Sequence, residues 1–422
     1  MHSLYEFHKK FIAKNKANQL AKPIKENKRL FIKLTIAIGA SVAFLIFLII
    51  LRATSVSASE FITVTISNFL VSFVGFFTSV IPIISIGEIF LFGGILLVVF
   101  GISLSIYNLK DKKRTLVLRR VMLAILVTVN AFSYFMLTTG FSYNRADISN
   151  GIMLSDSVPR DDEITTIANF FMDDFIYVGE SLKRCENGFA IVNYSFFRLG
   201  EMMRDEFRRL ENRSYFFDFT PRPKIFLNSW WFSTVGVAGM AFTPFGEGTT
   251  NFMPPTIGNI FTMAHEFAHT AGVMRENDAN LVAYYVLITS KNPLFRYVGY
   301  IYSMSHLVSA IFLGNNLDRD IQTEFRERWP IGARQDRNNI SQWWTDYREA
   351  NWINRVMREV GNFFNNLYLI LSGVSDGTGN YQNFPDGYDR DPDSPPDRPV
   401  FIPRYNNVQR MYFAVWEAKQ NL

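Results

Sequence analysis

The sequence predicts an α+β protein in which N-terminal transmembrane helices precede a mostly helical domain with a small β-sheet. Three observations carry that expectation. Long uncharged apolar runs crowd the first 140 positions, and such runs are the signature of bilayer-crossing helices. In most of residues 141–422 the apolar residues recur with helical spacing. One stretch, PKIFLNSWWFSTVGVAGMAFTPFG, is richer in glycine and β-forming residues and reads as short strands with turns.

Residues 1–29 form a polar, basic tail. From Leu30 the run LFIKLTIAIGASVAFLIFLIILR is long enough to cross a bilayer and longer than the core of a usual signal peptide, so a retained anchor is expected. Two further spans are IFLFGGILLVVFGISLSIY and VMLAILVTVNAFSYFMLTTG, separated by the basic loop KDKKRTLVLRR. The membrane region therefore covers residues 30–140 with about three transmembrane helices. Residues 61–85, FITVTISNFLVSFVGFFTSVIPIIS, are uncharged and read either as an interfacial helix or as an extra span. The positive-inside rule puts the tail and the basic loop in the cytoplasm, so three spans leave residues 141–422 outside.

Within that outer domain, EITTIANFFMDDFIYVGESLKR and AIVNYSFFRLGEMMRDEFRRLEN show 3.6-residue apolar spacing, as do residues 256–313 and 340–371. The segment 373–403, dense in Asp, Gly and Pro, reads as a long loop. NVQRMYFAVWEAK is expected to be a last helix that docks its aromatic side on the domain.

Charge and cysteine content narrow the function. Residues 1–140 hold 16 basic and 5 acidic residues, whereas residues 141–422 hold 27 and 33. The basic excess thus lies in the membrane half and speaks for topology and a lipid bilayer as partner, with no nucleic acid. A single cysteine, Cys185, excludes an internal disulfide. Nothing near it in SLKRCENG supplies a partner histidine, so it reads as an inert thiol.

The chemistry concentrates in MAHEFAHTAGVMRENDAN, Met263 to Asn280. On a helix, His265 and His269 lie one turn apart and can share one metal ion. Glu266 sits beside that face, where it can reach a water on the metal without being a ligand; this is the HExxH arrangement. A third protein ligand is needed, and Glu276 and Asp278 are the nearby carboxylates. A continuous helix would carry Glu276 about 10 Å along the axis from His269, so the chain must turn, and Gly272 is where it can. On a second helix starting near Arg275, Glu276 and Asn280 share a face and Asp278 points away. Asn280 can then support a ligand from the second shell.

The E-x-x-A-N spacing resembles the E-x-x-A-D that supplies the third ligand in membrane-associated zinc peptidases of the gluzincin kind, with Asn280 in place of the aspartate. The H-x-x-G turn looks like that of metzincins, but Arg275 stands where their third histidine would be. More widely, SIGEIFLF, GVAGMAFTPFGEGTTN, TMAHEFAHTAGVMRENDANLVAYY, FRYVGY and YLILSGVSDGTGNYQNF resemble a family of uncharacterised bacterial membrane proteins with a zincin-like outer domain. The resemblance implies a zincin-like metallopeptidase domain, a Zn2+ cofactor and a multi-pass protein of the bacterial cytoplasmic membrane whose catalytic domain is extracytoplasmic.

The mechanism expected from these residues is hydrolysis of peptide or protein substrates. His265, His269 and Glu276 hold zinc, and Glu266 takes a proton from a water that the metal acidifies, then passes it to the leaving amine. A further donor should steady the oxyanion; Arg296, Tyr297, Tyr300 and His306 follow closely enough in sequence to be candidates. The glycine-rich GVAGMAF segment reads as an edge strand for an extended peptide. The alternative is a non-catalytic envelope binding or scaffold protein on a zincin fold, and a zinc hydrolase of non-peptide amides is a third reading. Oligomeric state has no sequence signal.

Overall fold

In the computed structural model, residues 2–110, 114–210, 212, 214–314, 319–371, 387–390 and 401–420 are described. The chain divides into two compact units. One comprises residues 1–55 with 91–137, the other residues 56–90 with 138–422.

The first unit is helical. It contains α1 (His2–Thr54), most of α4 (Ile86–Lys110) and nearly all of α5 (Arg114–Thr138). Leu96, Leu97, Val98 and Phe100 on α4 are exposed, as expected of a helix whose solvent is lipid.

The second unit begins with α2 (Val56–Ile62) and α3 (Asn68–Thr78), joined by a π-helical turn, Thr63–Ser67. Among the described residues, four helices are therefore long and apolar enough to cross a membrane: Lys28–Thr54, Val56–Thr78, Ile86–Asn108 and Arg114–Thr138. The second of them is unlike the others, because 33% of its window is buried and it belongs to the second unit. The short strand β1 (Ile83–Ile84) follows, and Ser85 then opens α4. The Ser85 hydroxyl accepts from the Glu88 N–H, while the Glu247 carboxylate accepts from the N–H groups of Ile86 and Gly87. This is the carboxylate placement that the positive end of a helix favours. Lys224, fully buried, lies 3.6 Å from Glu247 and compensates its charge.

Beyond α5 come α6 (Asp161–Ser181), α7 (Phe196–Phe207), β2 (Lys224–Ile225), α8 (Ser229–Val235), β3 (Gly239–Phe242), β4 (Glu247–Thr250), α9 (Thr256–Thr270), α10 (Glu276–Ile288) and α11 (Pro293–Gly314). After these are α12 (Arg319–Glu327), α13 (Ile331–Glu349), α14 (Trp352–Leu371), β5 (Gly387–Arg390), β6 (Phe401–Arg404) and α15 (Asn407–Gln420). The architecture is mostly helical with one small mixed sheet of order β1-β2-β4-β3. β1, β2 and β4 pair in parallel, and β3 runs antiparallel to β4 with Gly239 opposite Thr250 and Phe242 opposite Glu247. β4 is buried throughout, whereas β3, at the edge, is half-buried along its length. The core gathers Phe171 and Phe175 of α6, Ile260 and Phe267 of α9, Leu287 of α10, Tyr297 and Tyr300 of α11, and Tyr412 and Phe413 of α15. Burial of such aromatic and branched side chains is the main stabilising term.

Two expectations are corrected. SWWFSTV is the helix α8, not part of a strand. Its start is held by tertiary contacts, since the Glu88 carboxylate accepts from the N–H groups of Leu227 and Asn228 at 2.6 and 2.8 Å, and Phe226 stacks on Phe232. Part of the expected 373–403 loop is strand, because Gly387–Arg390 pairs with Phe401–Arg404 as an antiparallel ladder. Residues 373–386 and 391–400 of that segment lie outside the described residues.

Candidate metal centre

Helix α9 starts after Pro254 and Pro255 and is buried over most of its surface. It stops because Gly272 takes φ +92°, a left-handed conformation that side chains resist. The Gly272 N–H then donates to the His269 carbonyl, and the Val273 N–H to the Ala268 carbonyl. The turned chain enters α10 at Glu276, whose carboxylate and that of Asp278 suit the positive first turn.

This turn brings three donors together. His265 Nε2 lies 3.0 Å from His269 Nε2 and 3.1 Å from Glu276 Oε2, and His269 Nε2 lies 3.5 Å from the same oxygen. Ligand atoms at zinc distances around one tetrahedral ion stand ~3.4 Å apart, so the spacing fits a metal ion. All three residues are buried.

The outer ring nitrogens decide the protonation. His269 Nδ1 contacts the Val273 carbonyl at 2.7 Å; a carbonyl only accepts, so the proton is on Nδ1. His265 Nδ1 meets Asn280 Oδ1 at 2.8 Å, which assigns the same tautomer. In neutral rings both Nε2 atoms are then bare lone pairs directed at each other and at a carboxylate. That convergence of acceptors requires a cation between them, either a proton or a metal.

Electrostatics records the same demand. Burial alone would pull the His269 imidazole down, but the Glu276 carboxylate, Glu266 and the Val273 carbonyl outweigh it and raise it to about 9. Burial would raise Glu276, yet the two histidines hold it at about 2. Glu266 is raised to about 7, by burial first and by Glu276 to a lesser degree, against the pull of both histidines. One carboxylate oxygen of Glu266, Oε2, is buried with no hydrogen-bond partner among the described residues. The sheet lies directly on this side chain, because a Cβ at Gly239 of β3 would collide with the Glu266 carboxylate and one at Gly248 of β4 would crowd its backbone.

Asn280 lies beside His265, whereas Asp278 turns away and receives a bond from Arg275. Three of the four oxyanion candidates are engaged elsewhere. Arg296 and Tyr300 both bond Asp174. Tyr297 donates to Asp336 and accepts from Arg184. The His306 ring lies 6.2 Å from that of Tyr284. Cys185 is exposed.

Sequence reasoning missed the clamp behind the turn. Arg145, buried, donates to the Gly272 and Tyr215 carbonyls, pairs with Glu60 of α2 at 2.6 Å and lies 3.7 Å over the Tyr215 ring. A lone Arg in a loop and a Glu 85 residues away carry no local signal that they meet.

Fold and site together define a mostly helical protein with membrane-compatible N-terminal helices and a buried pair of histidines and a glutamate that could hold a metal ion. The chain belongs to the family described as a protein of unknown function (DUF3810), whose model matches residues 63–386. No curated protein and no solved structure matches it.

Proposed function

We propose that the protein is a membrane-anchored zinc-dependent peptidase that hydrolyses peptide bonds of proteins or peptides outside the cytoplasmic membrane. The observation that carries this reading is the orientation of the two imidazoles. Each commits its Nδ1–H to a neighbouring acceptor, which leaves two Nε2 lone pairs and the Glu276 carboxylate as a three-donor set of the kind that zinc takes in hydrolases.

A zinc ion held there supplies Lewis acidity, acidifying water and polarising a carbonyl oxygen. The rest is done by the protein's own groups. Glu266 follows His265 directly on α9 and is buried beside the three donors, where a carboxylate can accept a proton from water and return it. Its unpartnered Oε2 is the atom that takes the proton from water and hands it to the leaving amine. Strand β3, unpaired on one side among the described residues, offers its edge to an extended peptide. Gly239 brings that edge against the Glu266 carboxylate, so a substrate paired there passes beside the base. Asn280 and Val273 hold the imidazoles in register.

Topology supports an outward-facing site. Val56–Thr78 belongs with the second unit and is tied to it by the Glu60–Arg145 pair, which supports the reading in which it lies at the interface and three helices cross the bilayer. The basic tail and the loop before α5 then face the cytoplasm, and the metal centre faces the other side.

The test uses the full-length protein loaded with zinc, a pooled peptide library read by mass spectrometry, and the Glu266→Gln variant beside it. Wild type is expected to yield defined cleavage products. Glu266→Gln, at equal zinc content, should lose roughly 100-fold to 10,000-fold of that rate. No products from the wild type, or equal rates from both proteins, would overturn the proposal.

A further inference from the structure

Helix α14 exposes an apolar stripe. The described side chains on its side packed against α8 and α13 include polar ones, with Met357 half-buried beside them. Asn354 is buried and donates to the Tyr347 carbonyl at 2.7 Å. Arg358 packs against Gly236 at the end of α8 and lies 5.5 Å from the Trp344 ring. Gly361 touches the backbone of Val235. The outward side is apolar: Ile353, Val356, Val360, Phe363, Leu367 and Ile370 recur at alternating three- and four-residue steps and are all exposed. Phe363 is 64% exposed and Trp352, at the helix start, 67%. A surface helix on a soluble domain buries its apolar stripe and wets its polar one, whereas a helix at a membrane surface turns its apolar stripe to lipid.

The surroundings identify which apolar medium covers the stripe. α14 packs on α8, which itself exposes Trp230, and Leu227 just before it is also exposed. The N–H groups of Leu227 and Asn228 are bound by the Glu88 carboxylate. Glu88 lies in the first turn of α4, which carries the span Ile86–Asn108. The exposed apolar surface therefore begins where a bilayer-compatible helix begins. Half-exposed Trp343, Trp344 and Tyr347, with the exposed Arg348 and Arg355, stand at the N-terminal end of the stripe. Aromatic rings and arginines are the residues that settle at the headgroup level.

We infer that α14 lies in the plane of the membrane interface, with its Ile353-to-Ile370 stripe among lipid acyl chains. The helix is then a second attachment that holds the domain down on the bilayer, independent of any metal at the histidine site.

The test uses the full chain with its one native thiol removed by Cys185→Ser. Single cysteines are introduced by Val356→Cys, Phe363→Cys and, as an aqueous control, Asp205→Cys, where the side chain is 61% exposed. Each is labelled with an environment-sensitive fluorophore, and the chain is reconstituted in phosphatidylcholine–phosphatidylglycerol vesicles. Quenching by nitroxide on the lipid acyl chains is expected to be several-fold greater at positions 356 and 363 than at 205, and iodide quenching correspondingly weaker. Iodide quenching at 356 and 363 equal to that at 205 would overturn the inference. Shielding from both quenchers, with cross-linked dimers through these cysteines, would also overturn it and assign the stripe to a second copy of the chain.

Discussion

His269 donates its Nδ1–H to the Val273 carbonyl at 2.7 Å, and this one bond orients the imidazole in the candidate metal centre. Val273 is the residue after the Gly272 turn, so the turn that ends α9 also selects the tautomer that points a lone pair inward. Turn geometry and ligand chemistry are therefore coupled.

Metal binding should release a proton. In the metal-free protein the His269 imidazole, raised to about 9 by Glu276 against the opposing effect of burial, is protonated at neutral pH and must lose that proton to bind an ion. Zinc affinity should rise about tenfold per pH unit between pH 6.5 and 8.5. Competition against a chelator at several pH values measures it, and a flat profile would contradict the assignment.

The metal-free protein should lose stability as pH rises. His269 has a folded-state pKa of about 9 against an ordinary 6.5, so its contribution is complete below 6.5 and disappears as pH rises through 9. Glu266, raised to about 7 from 4.5 mainly by burial, adds a loss in the same direction between those values. The His269 part amounts to something on the order of 3 kcal/mol. At the acid end, Glu276, held at about 2, contributes stability above 4.5 that is lost as pH falls through 2. Thermal melts after chelation, from pH 5 to 9, should show a falling midpoint, and zinc should remove most of the slope.

Asn280→Ala removes the acceptor for the His265 Nδ1–H. Zinc affinity should fall roughly 10- to 100-fold. Asn280→Asp, which keeps the acceptor and adds charge, should restore or exceed the wild-type value. Equal affinities in all three proteins would show that Asn280 does not orient the ligand.

Arg145→Met breaks the clamp on the Gly272 turn and leaves Glu60 without its partner. Burial works to raise Glu60, but Arg145 holds it lowered. The variant should cost about 3 kcal/mol and weaken zinc binding as the turn loosens. Arg145→Met with Glu60→Gln should recover part of the stability but not the affinity, as read by melting and chelator competition.

Local parts of the site were legible in the sequence. The four-residue spacing of His265 and His269, the adjacent Glu266 and the helix-ending Gly272 are expressed within a dozen residues, and helical periodicity makes them readable. Asn280 could be placed because it sits one turn from Glu276 on the same helix. The Glu60–Arg145 clamp and the Glu88 cap on α8 were invisible, since each joins residues brought together only by the tertiary fold. Arg296, Tyr297 and Tyr300 were chosen for closeness in sequence, yet the fold gives them to Asp174 and Asp336. Periodicity marked α14 as amphipathic but could not say which face the protein covers. SWWFSTV misled because its helix depends on Glu88 and Phe226 more than on its own propensity.

Metal content shows whether His265, His269 and Glu276 hold zinc. Full-length protein, purified with zinc supplied, is measured beside His265→Ala and Glu266→Gln. The account predicts about one zinc per chain in the wild type and in Glu266→Gln, and almost none in His265→Ala. A wild type without zinc, or a His265→Ala variant that keeps it, would contradict the account.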